Sequence, residues 1–219
     1  MPGSIKIDDG SGNYTILTNG GSLGSDKTLT IPNETATLAT TTATDLGGLV
    51  KLSSATASGS SDFTFDNFVD NSTYSYYKLI MEEIVPSVDA LLHFVFRSGG
   101  ASGADMTGTY RRSGSYEYMD LASHAQYSNG SDTDYSRTAF NYGNSTNENF
   151  SSEVTLYPNN GQSLSKGIHE YIGRRNSPYL VRAQDNFILD NATAMTGIKI
   201  QFSSGNITSG KATVYGVKR

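Results

Sequence analysis

Cysteine is absent from the 219 residues, which excludes disulfide bridges and thiolate metal sites and sets the chain apart from small secreted domains held by such bridges. Basic clusters are missing as well: no run of Lys or Arg exceeds two and the formal net charge is −5, so the stripe of cations that neutralises phosphates is not there and nucleic acid is excluded as a partner. Long apolar runs are lacking too. Nothing approaches the roughly 20 residues of a membrane span, so no membrane insertion is expected. The opening MPGSIKIDDG carries two acids where a signal peptide has a basic and then an apolar segment. Synthesis in the cytoplasm follows as the expectation.

What fills the chain instead is Ser, Thr, Asn and Gly, the last 23 times, with 14 Tyr and 9 Phe among the apolar 36%. Such a mixture favours turns and strands over helices. The aromatics are unevenly placed: Tyr14 stands alone in residues 1–60, and all the others follow. With SSATASGSS at 53–61 read as a flexible linker, the chain divides into an N-terminal region, 1–56, and a C-terminal domain, 57–219. Eight Asn-X-Ser/Thr sequons are what a chain so rich in Asn, Ser and Thr produces by composition, and without a signal peptide they are not read as glycosylation sites.

In the first region NYTILT (13–18), KTLTI (27–31) and TATLAT (35–40) are strand candidates, with Pro32-Asn33-Glu34 as a turn between the last two. Their apolar residues, Ile16, Leu29, Ile31 and Leu38, with Leu49 beyond them, form a stripe too narrow for a core. Strands of this kind become stable when identical stripes meet about a symmetry axis, so these five residues are the expected oligomerisation contacts.

From Asp62 onward, strand patterns alternate with Gly, Asn, Ser and Pro. They are expected at 63–69, 76–85, 91–98, 116–127, 152–158, 166–175, 179–184, 196–204 and 211–219, the last two joined by a hairpin-like link at 205–210. Nine short strands at this spacing predict an all-β chain: a short Thr-rich N-terminal β region followed by a β-sandwich of jelly-roll type. No helix longer than two turns is expected.

Catalytic and metal patterns are thin. His93, His124 and His169 lack the short spacings that place two imidazoles on one metal. Glu82 and Glu83 are adjacent in a strand, which sends the carboxylates to opposite faces. Asp132 and Asp134 beside Gly130 resemble part of a calcium loop without its downstream bidentate acid. No enzymatic activity, cofactor or metal is expected. The segment 110–143 differs from the rest, with six tyrosines, Arg111, Arg112 and Arg137 set among Ser, Gly, Asn and Asp. Tyrosine offers a flat apolar face with a hydroxyl, and small polar residues add hydrogen bonds. Tyr110, Arg111, Arg112, Tyr127, Tyr135, Arg137 and Tyr142 are therefore the candidate receptor-binding residues, with a sheet face or a subunit interface as the alternative use of these tyrosines.

Three stretches carry a resemblance. DKTLTIPNETATLATT (26–41) resembles the strand, proline turn and strand segments of bacteriophage tail fibres. LGGLVKLSSAT (46–56) resembles a short repeat of their shafts. YYKLIMEEIVPS (76–87), with the closing SSGNITSGKATVYGVKR (203–219), is similar to C-terminal β-sandwich domains of phage fibre and other virion structural proteins. The resemblance implies a homotrimer on the virion, joined to other virion proteins of the tail or baseplate by its N-terminal part and adsorbing to a host cell-surface glycan through its C-terminal domain. A capsid decoration or baseplate connector protein without receptor binding is the alternative, and a glycan depolymerase is a third.

Overall fold

The computed structural model describes residues 4–8, 14–18, 48–118, 123–138, 141–145, 148–159, 162–175 and 179–219. Two compact units divide the chain, Met1–Leu46 and Gly47–Arg219. In the first, β1 (Ser4–Asp8) pairs antiparallel with β2 (Tyr14–Thr18), Lys6 opposite Ile16. The expected strand at 13–18 is therefore present. Those at 27–31 and 35–40, with Leu29, Ile31 and Leu38, lie outside the described residues.

The second unit is an all-β sandwich of two antiparallel sheets. Its strands are β3 (Leu49–Ser60), β4 (Asp62–Phe65), β5 (Tyr74–Pro86), β6 (Leu92–Ser98), β7 (Ala104–Asp105), β8 (Thr109–Tyr118), β9 (Ser123–Thr133), β10 (Ser136–Arg137), β11 (Phe150–Tyr157), β12 (Leu164–Arg175), β13 (Tyr179–Asp190), β14 (Gly197–Phe202) and β15 (Ile207–Lys218). The larger sheet runs β3-β15-β5-β11-β12-β13-β8-β9, and the smaller runs β10-β6-β14-β4 with β7 beside β6. Among the described residues the only helical element is a three-residue 3-10 turn, Gly100–Ser102, and no helix is long and apolar enough to cross a membrane.

Four local expectations are corrected. Residues 53–61 are not a linker. Val214 and its neighbours pair with Ser53, Ser54 and Ala55, so the stretch is strand β3 of the sandwich, and the 56/57 boundary falls inside it. Serine and threonine need no core of their own when the adjacent β15 supplies the hydrogen bonds. The single strand expected at 116–127 is the end of β8 and the start of β9, which pair with Tyr118 opposite Ser123. The link at 205–210 is not a hairpin, because β14 and β15 belong to different sheets. Finally, Glu82 and Glu83 are both exposed: a bulge opposite Phe150 and Ser152, with Glu83 at φ 52°, interrupts the alternation.

Period-two alternation fills the space between the sheets. On β5, Tyr77, Leu79 and Met81 are buried. They meet Val154 and Leu156 of β11, Ala212 and Val214 of β15, and Phe94, Phe96, Ile198 and Ile200 of the smaller sheet in one cluster. Phe187 of β13 stacks on Phe94 across the layers, with ring centroids 5.0 Å apart and planes 7° apart. It also lies over its direct cross-strand partner Gly167, where an added Cβ would fall inside the Phe187 ring. Glycine there is the space the aromatic ring occupies.

Candidate functional site

The segment singled out by its tyrosines and arginines spans both layers. β8 and β9 form one edge of the larger sheet, and β10 lies at an edge of the smaller one, so residues 123–137 pass from layer to layer along one side of the sandwich. At the crossing, Asp134 adopts φ 67°. Its N–H donates to the Gly108 carbonyl (2.8 Å), and its carboxylate accepts from the Gly108 N–H (2.9 Å). A short acidic side chain tolerates this left-handed conformation and closes the loop on itself.

Two of the seven candidate contact residues prove to be core. Tyr110 is fully buried. Its hydroxyl accepts from the Phe96 N–H (2.9 Å) and donates to the Met106 carbonyl (3.3 Å), which ties β8 of one layer to β6 of the other, and burial raises its pKa. Tyr142 is also buried, stacked on Phe150 with centroids 3.9 Å apart, and its backbone bridges to Ala90. Both sit inside because a tyrosine whose hydroxyl finds a partner is as good a core residue as phenylalanine. Neither serves as a receptor contact.

The other five divide. Arg112 points inward, lies over Gly130, and holds Asp132 (Nε to Oδ2, 2.9 Å). Arg137 reaches the second oxygen of the same carboxylate (3.0 Å) with 38% of its side chain exposed. Asp132 thus bridges two guanidinium groups instead of contributing to a calcium loop, and among the described residues no group of three acids or histidines could hold a metal ion. Tyr135, half-buried, stacks on His93 at 4.0 Å and 9°. Tyr127 lies on β9 with its backbone opposite Gly114. Arg111 is exposed on the outer face of the larger sheet. Of the expected oligomerisation residues with a described side chain, Leu49 opens β3 opposite Val217 and is half exposed.

Behind Arg112, charge continues into the core. Asp185 of β13 and His169 of β12 face each other as direct cross-strand partners, Oδ2 to Nδ1 3.4 Å, both buried. Burial pushes the Asp185 carboxyl up to about 7 against the pull of Arg112, and pushes the His169 imidazole down to about 3. His93 at the rim is pushed down to about 4, also by burial. The arrangement holds His169 neutral, with its Nε2 unpartnered, and leaves Asp185 divided between acid and carboxylate near neutral pH.

The ligand-accessible geometry is on the outer face beside these groups. A depression of about 500 Å³ lies over β8, β9 and β13, lined by Thr109, Arg111, Ser113, Ser131, Asn186 and Ile188. A second, of about 490 Å³, lies over β8, β13, β12 and β11, between Ser115, Glu117, Glu170, Ile172, Arg182 and Gln184. Hydroxyls, amides, carboxylates and two guanidinium groups over a shallow floor are suited to hydrogen bonding a polyhydroxylated ligand. Asp185 and Asn186 do not stand out in the sequence, and Asp132, His93 and His169 stand out there only as weak metal candidates and not as parts of this site. A signal existed for two of them: Asp185 is in phase with Val181, Ala183, Phe187 and Leu189, and His169 with Tyr171, so each is a polar residue on a core-facing register. No family model, curated protein or solved structure matches the chain.

Proposed function

We propose that the protein is a fibre component of a bacteriophage virion. In this reading three copies associate, the N-terminal region joins other proteins of the particle, and the β-sandwich adsorbs to a host cell-surface glycan without cleaving it. The observation that supports it most is the depression holding Arg111, Thr109, Ser113, Ser131 and Asn186. Its lining is polar and shallow, and the exposed Arg111 guanidinium and the half-buried Asn186 amide are groups that take hydroxyl and carboxylate oxygens. The inward half of the same segment supports the site: Asp132, clamped by Arg112 and Arg137, and Tyr135 on His93 fix the edge of the sheet that carries Arg111.

Binding of the purified full chain to host-cell surface polysaccharide tests the reading. Arg111→Ala and Asn186→Ala are expected to lower binding about tenfold or more each while leaving the melting curve in place, because both side chains lie on the outer face. Equal binding by wild type and both variants would remove the site. Release of reducing ends from the polysaccharide would replace adsorption with cleavage. Location of labelled protein at the capsid, with no binding to cells, would favour the decoration protein.

A further inference from the structure

The row of side chains that begins in the depression around Arg111 runs on past β13. Strand register sets Ser131, Arg111, Ile188, Lys166 and Tyr157 side by side in outward positions across β9, β8, β13, β12 and β11. Tyr76 of β5 extends this row, with its ring centroid 5.8 Å from that of Tyr157. Lys78 and Lys211, elsewhere on the face, hold Glu153 and Glu82. Arg111 and Lys166 are exposed, and among the described residues neither is in an ion pair. They flank the half-buried Ile188 at two strand spacings, about 10 Å. The row on one side, Ser113, Asn186, Ile168 and Thr155, is uncharged. On the other side the exposed Asp190 lies diagonal to both cations and, among the described residues, pairs with neither.

A polymer seated on Arg111 has two ways to leave the depression. Along β8 and β13 it meets Glu117 and Glu170 in the second depression, with Arg182 between them. Across the strands it meets Lys166 and then the ring of Tyr157, 39% exposed. A neutral chain has no electrostatic reason to prefer either path, whereas an anionic one is repelled along the first and held along the second. Guanidinium and ammonium groups take carboxylate or phosphate oxygens in charge-assisted hydrogen bonds. The aromatic face of Tyr157 takes the apolar face of a sugar ring, and Ser113, Ser131 and Asn186 are left for hydroxyls. The formal charge of the whole chain is −5, so attraction for a polyanion comes from this row and not from the net charge. Exposed ion pairs are individually weak, but a polymer that repeats its acid groups engages Arg111 and Lys166 together and gains from their linkage.

We infer that the glycan bound at this site is an anionic polysaccharide, with carboxylate or phosphate groups, lying across the strands from Arg111 through Lys166 to the pair of Tyr157 and Tyr76. The inference rests on the adsorption reading above and adds Lys166, Tyr157 and Tyr76 to the site.

The test compares binding of the full chain to purified host-cell surface polysaccharide in three forms: native, with its carboxyl groups reduced to alcohols, and dephosphorylated. Circular dichroism confirms the folding of each variant. The native form is expected to bind about tenfold or more tightly than the form that has lost its acid groups, and the treatment that weakens binding names the acid. Lys166→Gln is expected to lower binding to the native form about fivefold, on the order of one exposed ion pair, and to make no difference on the form without acid groups. Tyr157→Ala is expected to lower binding by a similar factor through loss of the ring face. Lys211→Gln, outside the row, is expected to bind as wild type does. Undiminished binding to both treated forms would overturn the inference and leave adsorption of a neutral glycan standing. Full binding by folded Lys166→Gln and Tyr157→Ala would overturn the path across the sheet. Failure of the wild type to bind any of the three forms would overturn the adsorption reading itself, and the inference with it.

Discussion

Replacing Asp185 by Asn removes a buried acid whose titration falls near neutral pH, at almost no change in shape. In the folded chain its carboxyl stays protonated to about 7 because burial disfavours the charge; in the unfolded chain it ionises at the ordinary value near 4. Between these values the folded state holds a proton that the unfolded state has released, so Asp185 contributes stability that is complete below about pH 4 and declines as pH rises through 7. A displacement of about 3 pK units corresponds to at most about 4 kcal/mol. His93 and His169 act in the opposite sense. Their folded values of about 4 and 3 lie below the unfolded imidazole near 6.5, so their contribution is present above 6.5 and lost as pH falls through the folded values. In the wild type the two histidines outweigh the one acid from about pH 4 to 6.5, so stability rises there by about 1.4 kcal/mol per pH unit, half the slope of the histidines alone. In Asp185→Asn only the histidine trend remains. Urea unfolding at fixed protein concentration is therefore expected to give a variant whose stability relative to wild type improves by 2 to 4 kcal/mol, on the order of the shift cited, between pH 4.5 and 8. Parallel profiles for the two proteins would refute the reasoning and show that Asp185 is ionised and compensated in the folded chain throughout.

Other expectations follow from single contacts. Tyr110→Phe removes the acceptor of the buried Phe96 N–H, and a loss of about 1–3 kcal/mol is expected in urea unfolding. Gly167→Ala drives a methyl group into the Phe187 ring and is expected to cost about 1–3 kcal/mol in the same assay, with the near-ultraviolet spectrum altered as the ring moves. Tyr135→Ala loses the stack on His93, an effect of about 0.5–1.5 kcal/mol, and is expected to lower glycan binding while leaving the chain mass unchanged.

The class of fold was legible because alternation is a local property: Leu79 and Met81, or Ile198 and Ile200, declare their face without knowledge of their neighbours. The partners of a strand are not local. Nothing within SSATASGS says that it lies along KATVYGVK, since a strand whose hydrogen bonds come from an apolar neighbour is free to be made of serine. The candidate site was legible in part for a related reason. Tyrosine composition marks surfaces and cores alike, and only the register of β8 against β13 and β9 sends Arg111 outward and Tyr110 inward. The role of Asp132 is not legible because its partners, Arg112 and Arg137, arrive from a neighbouring strand and from another sheet.

The place of β3 at the margin of the larger sheet also governs how the protein can be dissected. Its twelve residues are mostly Ser, Ala, Thr and Gly, a sequence poorly able to recruit foreign strands, and they cover one hydrogen-bonding side of β15. A fragment begun at residue 57 keeps four residues of that cover and bares the backbone beside Ala212 to Val217, a Val- and Tyr-bearing ribbon of the kind that templates aggregation. Insolubility of such a fragment would be an artefact of the cut, and a dissection that preserves the sandwich begins at or before Gly47.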